Sequence, residues 1–202
     1  MSIKAVKAAL LSLAALSATA CATKGSYMGL DKEKAYDAEL AVARLTEVVN
    51  NDDYFELRQD NSILVFTDPK SYKIWLATEE IPLVVTKFRV GPSGEKAKFQ
   101  LSKNDSAAMG NTAGYKGASQ KMYEGGLDGI AKNFFGFVYN QTGNTYFVFD
   151  SWTALKAFKA SGGTPAGFTS SNGPKGATVV YVGASSEPAE LAKKFAALHD
   201  GK

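Results

Sequence analysis

One histidine, one cysteine and four methionines are the whole stock of imidazole and sulfur ligands in this 202-residue chain. A zinc site drawn from histidine and cysteine needs three or four such ligands, so none is expected. His199 lies close to the C-terminus, a poor place to fix an imidazole between a nucleophile and an orienting group. Residues 110–119 (GNTAGYKGAS) invite a phosphate-loop reading. That loop requires Gly-x4-Gly-Lys-Ser/Thr, so that backbone amides cradle phosphate and the lysine reaches it. Here the second glycine comes one residue early, Tyr115 intervenes and Gly117 follows Lys116. The run Asn51-Asp52-Asp53 is too short to supply the oxygen ligands of a calcium site. Paired carboxylates for glycoside cleavage meet in space rather than in sequence, and Glu79, Glu80, Glu124, Asp128 and Asp150 are the candidates. Surface acids are the ordinary reading of all five. No catalytic residue, metal or cofactor is assigned.

The aromatic residues offer a different chemistry. Phe134, Phe135, Phe137, Tyr139, Tyr146, Phe147, Phe149 and Trp152 crowd a short stretch of chain. Successive strand residues point to opposite faces, so the adjacent pairs Phe134-Phe135 and Tyr146-Phe147 put aromatic rings on both sides of a hairpin. Either both sides are covered as core, or one is a face for a partner or an apolar ligand. On the second reading Phe135, Phe137, Tyr139, Tyr146 and Trp152 form the binding face.

The elements that must carry these residues follow from periodicity. Residues 31–50 place Ala38, Ala41, Leu45, Val48 and Val49 on one helical face. Residues 54–57 and 62–67 alternate as two strands about a polar turn. Asp68-Pro69 is a strong helix start, with Asp as cap and Pro at the first position, and predicts a helix over 69–78. Strands are expected within 81–90 and at 96–101. The order then recurs: strands at 134–139 and 145–149, a helix capped by Asp150 or Ser151 and stopped by Gly162, a strand at 177–182, and a final helix with Leu191, Phe195 and Leu198 on one face. Between the halves, residues 102–132 are glycine-rich and read as a connector, with Met122, Tyr123 and Leu127 able to form a short helix.

The halves also share residues. Leu64, Val65 and Phe66 recur 83 positions later as Phe147, Val148 and Phe149, as do Lys73 as Lys156, Ala77 as Ala160 and Pro82 as Pro165. With one gap, Gly91-Pro92-Ser93-Gly94 falls on Gly173-Pro174-Lys175-Gly176. The expected fold is therefore α+β: a mainly antiparallel sheet from two hairpin–helix–strand units (31–101 with the leading helix, and 133–202), with the N- and C-terminal helices packed outside. In topology this is similar to the copper-delivery lipoproteins of the denitrification apparatus, a resemblance that implies a metal carrier using Met109 and Met122. Met28 is the third methionine left once Met1 is lost, and all three lie outside the two units.

The first residues concern location. Lys4 and Lys7 precede an apolar run at 8–16, about the length of a signal-peptide core and shorter than the roughly 18 residues of a membrane span. Ser17, Ala18, Thr19 and Ala20 then lead into Cys21. Small residues before a lone cysteine resemble the lipobox of bacterial lipoproteins. The resemblance implies removal of residues 1–20, a diacylglycerol thioether and a further acyl chain such as palmitate on Cys21, and a tether at 21–30. By the same resemblance, Ala22 in place of Asp implies the outer rather than the inner membrane. Ala18 stands where Leu is usual, and Ala18 with Ala20 also makes an ordinary Ala-x-Ala cleavage site. A single cysteine can form no internal disulfide, and lipidation would remove an unpaired thiol from an oxidising compartment.

The net charge of +3 falls to about +1 without Lys4 and Lys7, too balanced to point to nucleic acid. Together these readings give a membrane-anchored exported lipoprotein of the periplasm whose domain is a non-enzymatic binding or assembly module for an envelope protein or apolar ligand. An envelope hydrolase acting on glycan and a copper carrier are the alternatives.

Overall fold

The computed structural model describes residues 50–200. The signal segment, Cys21, Met28 and nearly all of the expected N-terminal helix fall outside that range. The described residues carry eight strands in one sheet, and five α-helices. The strands are β1 (Asp53–Gln59), β2 (Ser62–Phe66), β3 (Val84–Lys87), β4 (Lys96–Gln100), β5 (Phe135–Asn140), β6 (Thr145–Phe149), β7 (Gly167–Ser170) and β8 (Thr178–Val182). The helices are α1 (Pro69–Thr78), α2 (Lys103–Asn111), α3 (Ala118–Tyr123), α4 (Trp152–Ser161) and α5 (Ala189–His199). None of them is long and apolar enough to cross a membrane.

Sheet order is β3-β4-β2-β1-β5-β6-β8-β7. The fold is α+β as expected, but the sheet is mixed rather than mainly antiparallel. Four neighbouring pairs are antiparallel (β1–β2, β3–β4, β5–β6, β7–β8) and three are parallel (β1–β5, β2–β4, β6–β8). Tight turns force the hairpins to be antiparallel. The parallel contacts join strands far apart in sequence, which no local pattern reports. The first unit carries both strands expected after its helix, at 84–87 and 96–100, whereas the second has one strand more than expected, so that both are ββαββ. The extra strand in the second unit, β7, has the sequence GFTS, with one large apolar residue, and so leaves almost no alternation to read.

The two units have the same topology, yet matched residues lie on opposite faces of the sheet. Val65 pairs with Glu56, and Val148, 83 residues on, pairs with Phe137. Leu64, Phe66 and Val148 belong to the apolar cluster on one face (face A), whereas Val65, Phe147 and Phe149 belong to the cluster on the other (face B). Face A is covered by α1, through Tyr72, and α5, through Leu191, Phe195 and Leu198. Face B is covered by α3, through Met122, and α4, through Trp152 and Leu155. Each unit thus covers one face with its own helix and the other with a helix from the chain that follows it. Sheet faces that are both buried read as continuous apolar runs, as SILVF and TYFVF do. Gly136 is needed for that packing: a Cβ there would stand 2.9 Å from the Phe134 ring and from the Tyr54 carbonyl.

Local signals set the helix ends. The Asp68 side chain accepts from the Lys70 and Ser71 amides, and Pro69 opens α1. Ser151, not Asp150, caps α4. The connector contains more structure than its glycines suggest. Ser102 and Asp105 form a reciprocal capping box that starts α2, and Asp105 is buried where it also accepts from Tyr115 Oη at 2.8 Å.

Candidate functional site

Face A carries a cleft at the end of the sheet where the two central hairpins turn. Its widest part, about 660 Å³, lies beside the C-terminal end of α1, between Trp75, Leu76, Glu79 and the strand residues Leu64, Val84 and Lys98. A second part, about 220 Å³, lies under the hairpin turns and is lined by Leu57, Trp75, Tyr139, Gln141, Asn144 and His199. A third, about 520 Å³, follows α5 along Tyr181, Lys193 and Phe195. Lys175 borders all three. The lining of the cleft's widest part is more polar than apolar, so a ligand there must offer hydrogen-bonding groups as well as apolar surface.

The floor is rigid. Trp75 stands against Tyr72 and Phe66 with ring centroids 5.8 and 5.9 Å away, and Tyr139 against Tyr146 at 4.4 Å. Behind these rings runs a hydrogen-bonded chain. His199 Nδ1 donates to the Phe195 carbonyl at 2.8 Å, since a carbonyl only accepts. Nε2 is then the acceptor, and it takes the Tyr72 hydroxyl proton at 2.9 Å. The Tyr146 ring packs edge-on against the imidazole, with centroids 5.3 Å apart. Burial lowers the His199 pKa from 6.5, with the Phe195 bond opposing, and so keeps the imidazole neutral. Burial also pushes Tyr146 up to about 12 and Tyr72 well above the usual phenol range. His199 is buried in α5 rather than fraying at the terminus, and both its nitrogens are engaged. In this arrangement it positions Tyr72 and has no free atom for acid–base chemistry.

The rim is held by the turns. Gln141 Oε1 accepts from the Asp60 amide at 2.8 Å, tying the two central hairpin turns together, and Asn144 Oδ1 accepts from Tyr139 Oη at 3.1 Å. Six non-glycine residues among those described have left-handed backbone, and four of them (Asp60, Glu79, Asn144 and Lys175) border the cleft.

Face B holds a second polar group, this one closed. Glu56 is fully buried on β1. Arg58 Nε lies 2.7 Å from Oε1 and Lys159 Nζ 2.9 Å from Oε2, which also accepts from the Tyr54 hydroxyl. Lys159 Nζ sits 4.2 Å from the centre of the Tyr123 ring. Burial opposes ionisation of Glu56, but Lys159 and Arg58 outweigh it and hold the carboxyl below its usual range. Sequence reading missed this group, because its members lie 2 to 105 residues apart.

The five aromatics expected to bind lie mostly in the core. Phe135, Phe137 and Tyr146 are buried on face A and Trp152 on face B, while Tyr139 is half-buried at the cleft. Both sides of the hairpin are therefore covered, which is the packing outcome of the two weighed from sequence. Trp152 donates from Nε1 to Asp128 at 2.9 Å. Of the candidate carboxylates only Glu79 and Glu80 reach the cleft, whereas Glu124 pairs with Lys116 and Asp128 with Lys156. Met122 is packed in the face-B core. Among the described residues no three of His, Cys, Asp or Glu are grouped to hold a metal ion. The chain matches no protein-family profile, no curated protein and no solved structure.

Proposed function

We propose that this chain is an exported lipoprotein, anchored through Cys21 to the outer membrane and facing the periplasm, and that its domain is a binding module whose ligand enters the face-A cleft. The carrying observation is the cleft itself: a pre-formed cavity of about 660 Å³ lined by Trp75, continuing into a part of about 220 Å³ where Trp75 and Tyr139 both border it, with polar turns at its rim. The binding surface of this reading is Trp75, Leu76 and Tyr139, in place of the buried hairpin aromatics. Two acyl chains on Cys21 give durable attachment, since each buried CH₂ contributes about 0.8 kcal/mol and one chain alone holds marginally. A hydrolase reading keeps a foothold, because Glu79 and Glu80 line the same cleft. Loss of glycan cleavage in Glu79→Gln or Glu80→Gln would favour it.

The test has two arms. Cys21→Ala should move the protein from the membrane to the soluble fraction, and mass spectrometry of the wild type should find acyl chains on Cys21. Fractionated envelope extract should raise the melting temperature of the full chain through preferential binding to the folded state. The Trp75→Ala variant should lose that rise. Extract that shifts neither protein, or both equally, refutes a ligand in this cleft.

A further inference from the structure

We infer that the cleft takes a pyranose chain, the repeating element of an envelope glycan. This assignment rests on the binding-module reading above and names its ligand class. A pyranose ring has one face of C–H groups and a rim of hydroxyls that each donate and accept. It therefore fits a site that offers flat aromatic surface flanked by amides and carboxylates. Trp75 and Tyr139 are such surfaces, each braced from behind by another ring and bordering the cleft. Gln59, Gln141 and Asn144 bring amides to the same part of the cleft, and Asp60 and Glu79 bring carboxylates beside them. Among the described residues Lys175 has no ion-pair partner, and it adds a donor where the three parts meet. A purely apolar ligand would leave most of these groups desolvated without partners.

The backbone gives an independent reason to regard the rim as selected for its side chains. Glu79 ends α1 at φ 59° and Gly162 ends α4 at φ 62°, at matched positions of the two units. Glycine adopts that conformation freely and a glutamate does not. The glutamate stands at the unit end that borders the cleft. Lys175 repeats the pattern: it is left-handed at φ 53°, while Ser93, its counterpart, is not.

The chain has two tryptophans, Trp75 at the cleft and Trp152 buried on face B, so emission from Trp75 reports occupancy. The full-length chain, held in a detergent without a sugar headgroup, is titrated with N-acetylchitotetraose, cellotetraose and tetra-alanine. At least one saccharide should change the emission with half-saturation below about 1 mM, and the peptide should not. Trp75→Ala and Gln141→Ala should each weaken binding at least about tenfold by calorimetry, equivalent to about 1.4 kcal/mol. Gln141 is exposed, so its variant keeps the test open if Trp75→Ala folds poorly. Glu79→Gly should melt at a higher temperature and bind more weakly. Binding of tetra-alanine with both saccharides silent overturns the glycan assignment and leaves the binding module standing. Saccharide binding that Trp75→Ala and Gln141→Ala do not change overturns the assignment to this cleft. Silence toward all three probes overturns the glycan assignment, and silence toward envelope extract as well overturns the module.

Discussion

At the middle of face B, a carboxylate is locked between two cations. At the matched place on face A there is a benzene ring. Glu56 and Phe137 are the cross-strand partners of Val65 and Val148, and Lys159 and Leu76 occupy matched positions of α4 and α1. One topology therefore accepts both an ionic centre and an aromatic one. The difference lies in what each excludes. The ionic group spends its carboxylate on its own cations and hydroxyl, whereas the apolar centre of face A leaves Trp75 and Tyr139 at the border of an open cleft. A buried ion pair seldom adds stability over well-packed apolar residues, because desolvation offsets the attraction, but breaking one side of it is costly.

That contrast can be broken most sharply at Glu56. Glu56→Ala leaves Arg58 and Lys159 without their anion and should destabilise the fold by about 3–5 kcal/mol in urea unfolding. Glu56→Phe combined with Lys159→Leu copies face A onto face B and should recover the wild-type midpoint to within about 1 kcal/mol. A double variant as unstable as Glu56→Ala would show that the two faces are not interchangeable.

A smaller effect is expected on face A. Tyr72→Phe removes the proton donated to His199 Nε2 and should cost about 1–2 kcal/mol. His199 also makes face A sensitive to acid. Its folded pKa lies below the unfolded value of 6.5, so the unfolded chain takes the proton first. Its contribution is complete above about pH 6.5 and declines as pH falls below that. Asp53 has the opposite sign. Burial chiefly, with the charge of Asp52, pushes its pKa from 3.8 to about 6. Its contribution is present below 3.8 and is lost as pH rises through about 6. Urea midpoints measured across pH 4–7.5 should fall on the acid side less steeply in His199→Phe than in wild type. Asp53→Asn should be more stable than wild type at pH 7.5 and lose that advantage near pH 4. Parallel curves for all three proteins would remove both groups from the account.

The smallest expected change is at the cleft rim. Glu79→Gly relieves a left-handed glutamate and should raise stability by about 0.5–1 kcal/mol, read as a melting shift of a few degrees. A fall in melting temperature would mean that the Glu79 side chain stabilises the fold, and the contrast with Gly162 would lose its meaning.

The legible parts of this protein are those written within a few residues. Asp68-Pro69 opened a helix, Gly162 closed one, and the runs SILVF and TYFVF were strands. The 83-residue recurrence, from Leu64 to Phe147 and from Lys73 to Lys156, announced two units of one topology. The glycine-rich connector was legible only in part: the short helix at Met122 and Tyr123 was expected, but α2 was not, because the capping box of Ser102 and Asp105 is a short signal set among glycines that suggest a loop. The aromatic hairpin was located correctly, but periodicity could not say that both its faces would be covered.

The sequence by itself determined seven of the eight strands, the Asp68 and Gly162 helix ends and the repeat, because each depends on interactions between near neighbours along the chain. Only the tertiary structure decided that β1 and β5 lie parallel, which turns matched residues of the two units onto opposite faces. It alone brought Glu56 to Lys159 and Tyr72 to His199, and placed Trp75, Tyr139 and Lys175 around one cleft. Those juxtapositions arise where strands distant in sequence share hydrogen bonds, and no local propensity encodes which distant edge a strand will meet.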